Sequence, residues 1–237
     1  MKRIVTGYQM KALDAYTIET MGVPSLVLME RAALAVTDEI LSGDYSLDRI
    51  LVVCGTGNNG GDGVAVARIL HLKGYKVAIF AAGNPDRYSD GMKVQMKIAQ
   101  NYHVDFVTKP DYHEYTVIVD AIFGVGLARP VKGNYLKIIN RLNLSAIPVV
   151  AVDIPSGLHS DTGAVMGAAI RATATITFAF SKPGLLMGHG QTHAGKVITA
   201  DIGIYETKVM QGEEPEIVLY QTEEEDLFQL PRREETG

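Results

Sequence analysis

Hydrophobic positions fall into two alternating patterns along the chain. Continuous apolar runs that are rich in β-branched residues predict strands covered on both faces. These runs lie at 50–54, 76–80, 104–107, 116–120, 148–152, 174–180 and 196–204. Segments with apolar residues at helical spacing separate most of them, at 63–73, 88–100 and 133–142. Strands that alternate with helices predict right-handed crossovers, and hence an α/β fold with a mostly parallel sheet and helices on both of its faces.

Two more helices are predicted before the first strand. Residues 8–20 have helical spacing, and Pro24 begins a second helix that ends at Ser42-Gly43. Proline in the first turn and glycine after the last turn are typical of helix ends. No repeat or second core is visible, so residues 1–210 are predicted to form one domain. The charge-rich segment 211–237 is predicted to be an extension or a linker.

The most informative stretch is 50–70, ILVVCGTGNNGGDGVAVARIL. A strand at 50–54 leads into a loop with five glycines in nine positions, and a helix is expected from Gly63. We expect these glycines to adopt positive φ and to let backbone N–H groups approach a ligand. The N-terminus of the following helix adds a partial positive charge. The stretch therefore predicts a seat for phosphate.

The glycines include a G-x-G-x-x-G pattern, but the chain departs from the usual dinucleotide site. Such a site needs an acidic residue at the end of the next strand, and the run 76–80 is followed by Ala-Ala-Gly. This argues against a routine hydride-transfer enzyme. Asn58, Asn59 and Asp62 supply more polar groups than a turn needs, which favours a ligand or an ion. Asp62 alone could instead be the N-cap of the helix.

Two other strand ends carry similar chemistry. Asp120 ends the run 116–120 and precedes a Gly-x-Gly turn, and Asp153 follows the run 148–152 three residues before Ser156. Because ligands bind at the carboxyl ends of parallel strands, three such loops predict a shared site. Each aspartate could instead cap its own turn.

Oxygen atoms dominate the predicted site. Asn59, Asp120 and Ser156 offer amide, carboxylate and hydroxyl oxygens, which suit a hard cation, whereas no cysteine or histidine pair stands nearby to favour zinc. Asp153 would then be free to act as an acid or a base.

Composition narrows the functional classes. The net charge of -5 gives no electrostatic footprint for nucleic acid or acidic membranes. The single cysteine, Cys54, excludes a disulfide framework and is either buried and structural or reactive. No apolar run reaches the roughly 18 residues of a membrane span, and no signal-peptide pattern follows Met1. These features predict a cytoplasmic protein.

Three other polar residues are candidates for a function. Lys182 follows the run 174–180 and is a candidate for contacting a substrate phosphate. His189 and His193 are four residues apart, but their glycine-rich stretch predicts a loop near the mouth of the site and argues against a metal-binding helix.

Five motifs together resemble the YjeF N-terminal family, and more narrowly its NAD(P)H-hydrate epimerases. They are GTGNNGGDG, DAIFGVG, VDIPSG, the early LME and the later AGKVITADIGI, and the resemblance covers about residues 5–205. It implies a Rossmann-like, three-layer αβα fold that is usually dimeric. The implied activity interconverts the R and S epimers of hydrated NADH and NADPH, so that a partner dehydratase, sometimes fused to the epimerase, can restore the cofactor.

The resemblance also implies roles for individual residues. Asn59, Asp120 and Ser156 would hold one potassium ion, and Asp153 would contact the substrate. The implied substrate-binding residues are Asn58, Asn59, Gly60, Gly61, Asp62, Gly124, Val125, Gly126, Leu127, Ala128, Arg129, Pro130 and Asp153. One departure is that eukaryotic relatives often carry a lysine in the loop after DAIFG, where this chain reads GVGLARPVKG.

Two other functions stay open at this point. Domains that resemble this family also serve as non-catalytic dimerisation or binding modules, and an NAD-dependent oxidoreductase is a third class. The presence of Asn59, Asp120, Asp153 and Ser156 together argues against a non-catalytic module. The lack of an acidic residue after the run 76–80, where one would bind the ribose of NAD, argues against the oxidoreductase. Whether the chain is a stand-alone epimerase or a piece of a bifunctional protein is left open.

Overall fold

A computed structural model describes residues 2–205 and 219–221. Its strands are β1 (Lys2–Ile4), β2 (Ile50–Cys54), β3 (Val77–Ala81), β4 (Asp105–Phe106), β5 (Val117–Ala121), β6 (Val149–Val152), β7 (Ala174–Phe178), β8 (Lys196–Ala200) and β9 (Leu219–Gln221). The main sheet has the order β4-β3-β2-β5-β6-β7-β8, and each neighbouring pair is parallel. The predicted α/β fold with a parallel sheet is confirmed.

The helices are α1 (Gly7–Glu19), α2 (Ser25–Ser42), α3 (Asn58–Leu72), α4 (Asp90–Asn101), α5 (Gly133–Leu144), α6 (Pro183–Leu186) and α7 (Gly190–His193). Polar caps fix two of the starts: Thr6 and Gln9 form a capping box at α1, and Ser89 caps α4. Helix α3 begins five residues earlier than predicted, with Gly57 as its N-cap. Strand β7 ends before residue 180, since Ala179 takes a φ of 57°.

Alternate residues of the strands feed two separate cores. Ile50 and Val52 of β2 pack with α2, α3 and α4, whereas Leu51 and Val53 pack with α5 on the opposite face. Both faces of the sheet are therefore covered, which explains why the strands are continuous apolar runs and not alternating ones.

The order of the strands reverses between β2 and β5. From β2 the chain proceeds outward through β3 and β4, and it then returns to place β5 on the other side of β2. In open parallel sheets such a reversal leaves a crevice at the carboxyl ends of the two strands, where ligands bind. The loops after β2 and β5 flank this crevice.

A second, two-stranded sheet joins distant parts of the chain. Strand β1 pairs antiparallel with β9, and Val5 donates a hydrogen bond to the Ser181 carbonyl at 3.0 Å. The predicted extension 211–237 lies outside the described residues except for its part in β9. Within the described ranges, no helix is long and apolar enough to cross a membrane.

Candidate active site

The glycine motif brings the start of α3 into contact with the ends of β2 and β5. A Cβ atom on Gly60 would lie 2.1 Å from the Gly55 carbonyl oxygen, and one on Gly63 would lie 2.4 Å from the Cβ of Ala121. None of the five glycines in this motif has a positive φ, so that expectation was wrong. Glycine is needed here because the backbone segments approach too closely for a side chain.

The same packing directs the N-terminus of α3 into the crevice. The first intrahelical bond runs from the Gly61 N–H to the Gly57 carbonyl at 3.2 Å, so the N–H groups of Asn58, Asn59 and Gly60 precede it. Asp62 is the fifth residue of the helix and not its N-cap, so the capping alternative was wrong. Its side chain is buried.

Asp120 and Ser156 form a hydrogen-bonded pair beneath the crevice. The Ser156 hydroxyl donates to Oδ1 of Asp120 at 2.6 Å, and the Ser156 N–H donates to Oδ2 at 2.8 Å. The Phe123 N–H donates to the Ser156 Oγ at 2.8 Å, and the Phe123 carbonyl oxygen lies 3.3 Å from that Oγ. Both side chains are fully buried. Two of the three predicted loops therefore meet as expected.

The charge of Asp120 is not balanced by a basic side chain within the described residues. Burial raises its pKa to about 6, although the hydrogen bonds from Ser156 and Ile122 oppose that shift. Asn59 approaches from α3, and its Nδ2 is buried without a hydrogen-bond partner. Its Oδ1 and the Oδ2 of Asp153 would each lie 3.0 Å from a Cβ built on Gly124.

Asp153 is held by a buried ion pair. The Lys182 ammonium donates to Oδ1 of Asp153 at 2.7 Å, to Thr177 Oγ1 at 2.8 Å and to the Phe178 carbonyl at 3.0 Å. An ammonium group has three protons, and all three are used. Lys182 was a candidate for contacting a substrate phosphate, and the structure instead directs all three protons to protein atoms. Asp153 is thus an ion-paired carboxylate.

Two adjoining cavities open at this place. The first, here called the α1-side cavity, has a volume of about 400 Å³, and Asp14, Asp62, Asp153 and Lys182 lie in its wall. The second, here called the loop-side cleft, has a volume of about 1110 Å³ and is walled by the loop after β5. Asp62 and Asp153 line both cavities.

Most of the predicted substrate-binding residues line the loop-side cleft. They are Asn58, Asn59, Asp62, Gly124, Val125, Gly126, Leu127, Ala128, Arg129, Pro130 and Asp153. Gly60 and Gly61 lie behind this wall, against the Gly55 carbonyl and the Met29 side chain. Asp120 and Ser156 lie below it and line neither cavity.

Sequence reasoning missed two features of the site. Asp14 from α1 lines both cavities, and burial, followed by the charge of Asp153, raises the pKa of its carboxyl. The pairing of Lys182 with Asp153 was also missed. A lysine directly after an apolar strand was the available signal, but the spacing does not reveal its partner.

The remaining candidates carry no site chemistry. Cys54 is buried, as the first of its two alternatives held, and burial raises the pKa of its thiol. His193 ends the short helix α7, where a loop was predicted. In the part of the chain that the structure describes, no three histidine, cysteine or acidic residues cluster so that they could hold a metal ion.

Comparisons with known proteins identify the family of the chain. A family model described as YjeF-related protein N-terminus matches residues 25–184. The chain is 47% identical over 218 residues to the NAD(P)H-hydrate epimerase of Weissella koreensis, covering 92% of this chain and 99% of that protein. It is 51% identical over 206 residues to the NAD(P)H-hydrate epimerase of Limosilactobacillus reuteri, covering 86% and 97%.

A solved structure matches the fold. The crystal structure of yeast ynu0, YNL200c, superposes with a TM-score of 0.69 at 25% identity, covering 84% of this chain and 86% of that one. The family model matches well over half of the residues, and the bacterial relatives match nearly end to end. The chain therefore belongs to the family of YjeF-related protein N-termini.

Proposed function

We propose that this chain is an NAD(P)H-hydrate epimerase, which interconverts the R and S epimers of hydrated NADH and NADPH. The similar proteins of Weissella koreensis and Limosilactobacillus reuteri are named NAD(P)H-hydrate epimerases, which supports this function. The observation that carries it is the position of the buried Asp153 carboxylate. Asp153 lines both cavities, and the Lys182 ammonium forms an ion pair with its Oδ1.

The geometry suits the chemistry of this reaction. The hydrate carries a hydroxyl group on a ring carbon bonded to nitrogen. Inversion of that carbon requires reversible loss of the hydroxyl or reversible opening of the ring. Both routes move protons to and from oxygen, and a positioned carboxylate can perform that transfer. No external redox cofactor is needed, since the substrate is itself a damaged cofactor.

Charges along the loop-side cleft support one orientation of the substrate. Four basic residues, Lys11, Arg87, Arg129 and Lys132, line the cleft, and its acidic residues are Asp14, Asp62 and Asp153. The start of α3 adds unpaired N–H groups and a partial positive charge. We therefore propose that the phosphates bind along the α3 start and the basic rim. The altered ring would then face Asp153. The substrate would contact Asn58, Asn59 and Asp62 and the loop at 124–130, which line the cleft.

We further propose one potassium ion per subunit, held by Asn59, Asp120 and Ser156. The residues fit such an ion. Asp120 is a fully buried carboxylate with no basic partner among the described residues, and Asn59 has a buried amide nitrogen without a partner. Because the two ends of an amide exchange by rotation, its oxygen can occupy that position. A bound potassium ion would supply a compensating positive charge at Asp120.

The proposed function also includes an oligomeric state, a functional partner and a cellular compartment. We propose that the protein forms a homodimer through apolar side chains on and just before α2. The exposed side chains there are Met21, Leu26, Val27 and Leu34. We propose an NAD(P)H-hydrate dehydratase as the functional partner, acting on one epimer of the product. We also propose that the protein acts in the cytoplasm. We propose no nucleic-acid or membrane partner for it.

Proton NMR on purified hydrated NADH tests the function directly. Addition of the protein to one isolated epimer is expected to speed its conversion to the R/S mixture. Lack of any acceleration would contradict the epimerase and favour the non-catalytic binding module. Oxidation of the ring by the protein would favour the oxidoreductase.

A further inference from the structure

Asp62 is the most unusual group in the α1-side cavity. Its side chain is only 9% exposed, it lines both cavities, and its carboxyl makes no hydrogen bond or ion pair with another described residue. Burial of a polar group without a hydrogen-bond partner is unfavourable for the folded protein. An unpaired carboxyl group that is buried and aimed into a cavity therefore points to a role toward whatever the cavity binds.

Asp153 lies in the same cavity but in a very different environment. Besides the Lys182 ammonium, its carboxylate accepts hydrogen bonds from Thr177 Oγ1 at 3.3 Å, from the Val125 N–H at 3.4 Å and from the Phe178 N–H at 3.5 Å. One carboxyl group is thus ion-paired, and its neighbour Asp62 is not. Two carboxyl groups whose environments differ in this way suit opposite proton-transfer roles.

The groups around Asp62 favour its protonated form. Burial raises its pKa well above the usual range for aspartate, and the charges of Asp153 and Asp14 raise it further. The other charged groups that line the α1-side cavity are Lys11, Asp90 and Lys182. Of these, the Lys182 ammonium is already engaged by Asp153, Thr177 and Phe178.

We propose that Asp62 is a second catalytic residue of this site, which donates a proton to the leaving hydroxyl while Asp153 accepts one from the entering water. Lys182 is a positioning residue, because it acts through Asp153. This inference rests on the proposed function and deepens it, since it selects loss of the hydroxyl over opening of the ring.

The steps balance without any further reactant. The Asp62 carboxyl transfers its proton to the ring hydroxyl, the C–O bond breaks with its electron pair on oxygen, and water leaves. The lone pair of the ring nitrogen stabilises the cation left on carbon. A water molecule then adds to the opposite face of that carbon and loses a proton to Asp153. The enzyme is left with Asp62 ionised and Asp153 protonated, which is the form required for inversion in the reverse direction.

Asp62→Asn tests the role, with Asp44→Asn as the matched control. Both changes replace an aspartate by asparagine, but Asp44 is exposed in the loop after α2 and lines neither cavity. We expect Asp62→Asn to lower kcat by about 10²–10⁴-fold while the Kd for the hydrate changes little, and Asp44→Asn to retain nearly all of the parent kcat. Equal kcat in Asp62→Asn and the parent would overturn the inference, as would an equal loss in Asp44→Asn. A parent protein without epimer exchange would instead overturn the proposed function.

Oxygen labelling supplies the second measurement. In H₂¹⁸O the parent should place one ¹⁸O atom in the ring hydroxyl for each inversion, as measured by mass spectrometry at early times. Inversion without label would overturn the role of Asp62, because the oxygen would then never leave the ring substituent. Should Asp62→Asn fold poorly by circular dichroism, Asp62→Ala replaces it, with the same expected loss of kcat.

Discussion

At the scale of single residues, Asp153 combines features that are costly when taken separately. Its backbone φ is 66°, a left-handed conformation that is unfavourable for most residues other than glycine, and the residue is only 7% exposed. The Asp153 N–H donates to the Ile176 carbonyl at 2.7 Å, and Lys182 balances the charge. Strain that is held in place by its surroundings is typical of functional positions.

Asp153→Asn tests the catalytic role of this carboxylate. The change keeps the shape and some hydrogen bonding but removes the ability to take up and return a proton. We expect the rate of epimer exchange to fall by about 10²–10⁴-fold, with ligand binding changed much less. The assay is proton NMR of the two epimers, with calorimetry for binding. An Asp153→Asn variant that exchanges epimers at nearly the parent rate would contradict the assignment.

Lys182→Met should destabilise the fold through the charge that it leaves behind. Lys182 is fully buried, so its removal strands the Asp153 carboxylate without its counter-ion. Breaking a buried ion pair costs about 3–5 kcal/mol. We expect a loss of this size in the free energy of unfolding, measured in urea. The double variant Lys182→Met/Asp153→Asn should recover part of it, and strict additivity of the two changes would contradict the pairing.

At the scale of elements, the sequence predicted the strands well and the start of α3 poorly. The apolar runs located β2, β3 and β5 to within one residue at each end, because buried parallel strands need such runs. The residues Asn-Asn-Gly-Gly-Asp-Gly have low helix propensity, so a loop was the natural prediction. Close contact between α3 and the strand ends outweighs that propensity, and only the tertiary structure reveals it.

The site was predictable to a similar extent. Acids at the carboxyl ends of strands located Asp120 and Asp153, since parallel sheets gather their strand ends on one edge. The partner of Asp153 stands 29 residues later in the chain, where the adjacent strands β6 and β7 bring it close. Strand adjacency does not follow from local sequence, so the ion pair was not predicted.

Glycine substitutions in the α3 motif test which glycines are needed for close packing. A Cβ on Gly60 would meet the Gly55 carbonyl, whereas nothing lies within 4 Å of a Cβ on Gly57. We expect Gly60→Ala to lower the free energy of unfolding by about 1–3 kcal/mol, as overpacking does. Gly57→Ala is the matched control and should change it by less than about 1 kcal/mol. Thermal unfolding measures both variants, and equal stability would contradict the contact between α3 and the strand ends.

At the scale of the whole molecule, the proposed potassium ion would join three separate segments. Asn59 lies on α3, Asp120 on β5 and Ser156 in the loop after β6. An ion that binds only the folded protein raises its stability by mass action. We therefore expect KCl to raise Tm above its value in choline chloride at equal ionic strength, and Ser156→Ala to reduce this difference. An equal Tm in the two salts would contradict a potassium site.

The pairing of β1 with β9 brings residues from near the two ends of the chain side by side. Lys2 and Gln221 are directly opposite partners in this antiparallel pair. A two-residue turn of the Asn-Gly kind can connect residues in that arrangement. A circularly permuted gene could therefore join residue 221 to residue 2 and open the chain at an exposed turn such as Gly74, which lies between α3 and β3. In such a permutant the glycine motif and the strand that precedes it would be among the last parts to leave the ribosome, and Asp153 and Lys182 would be made before them.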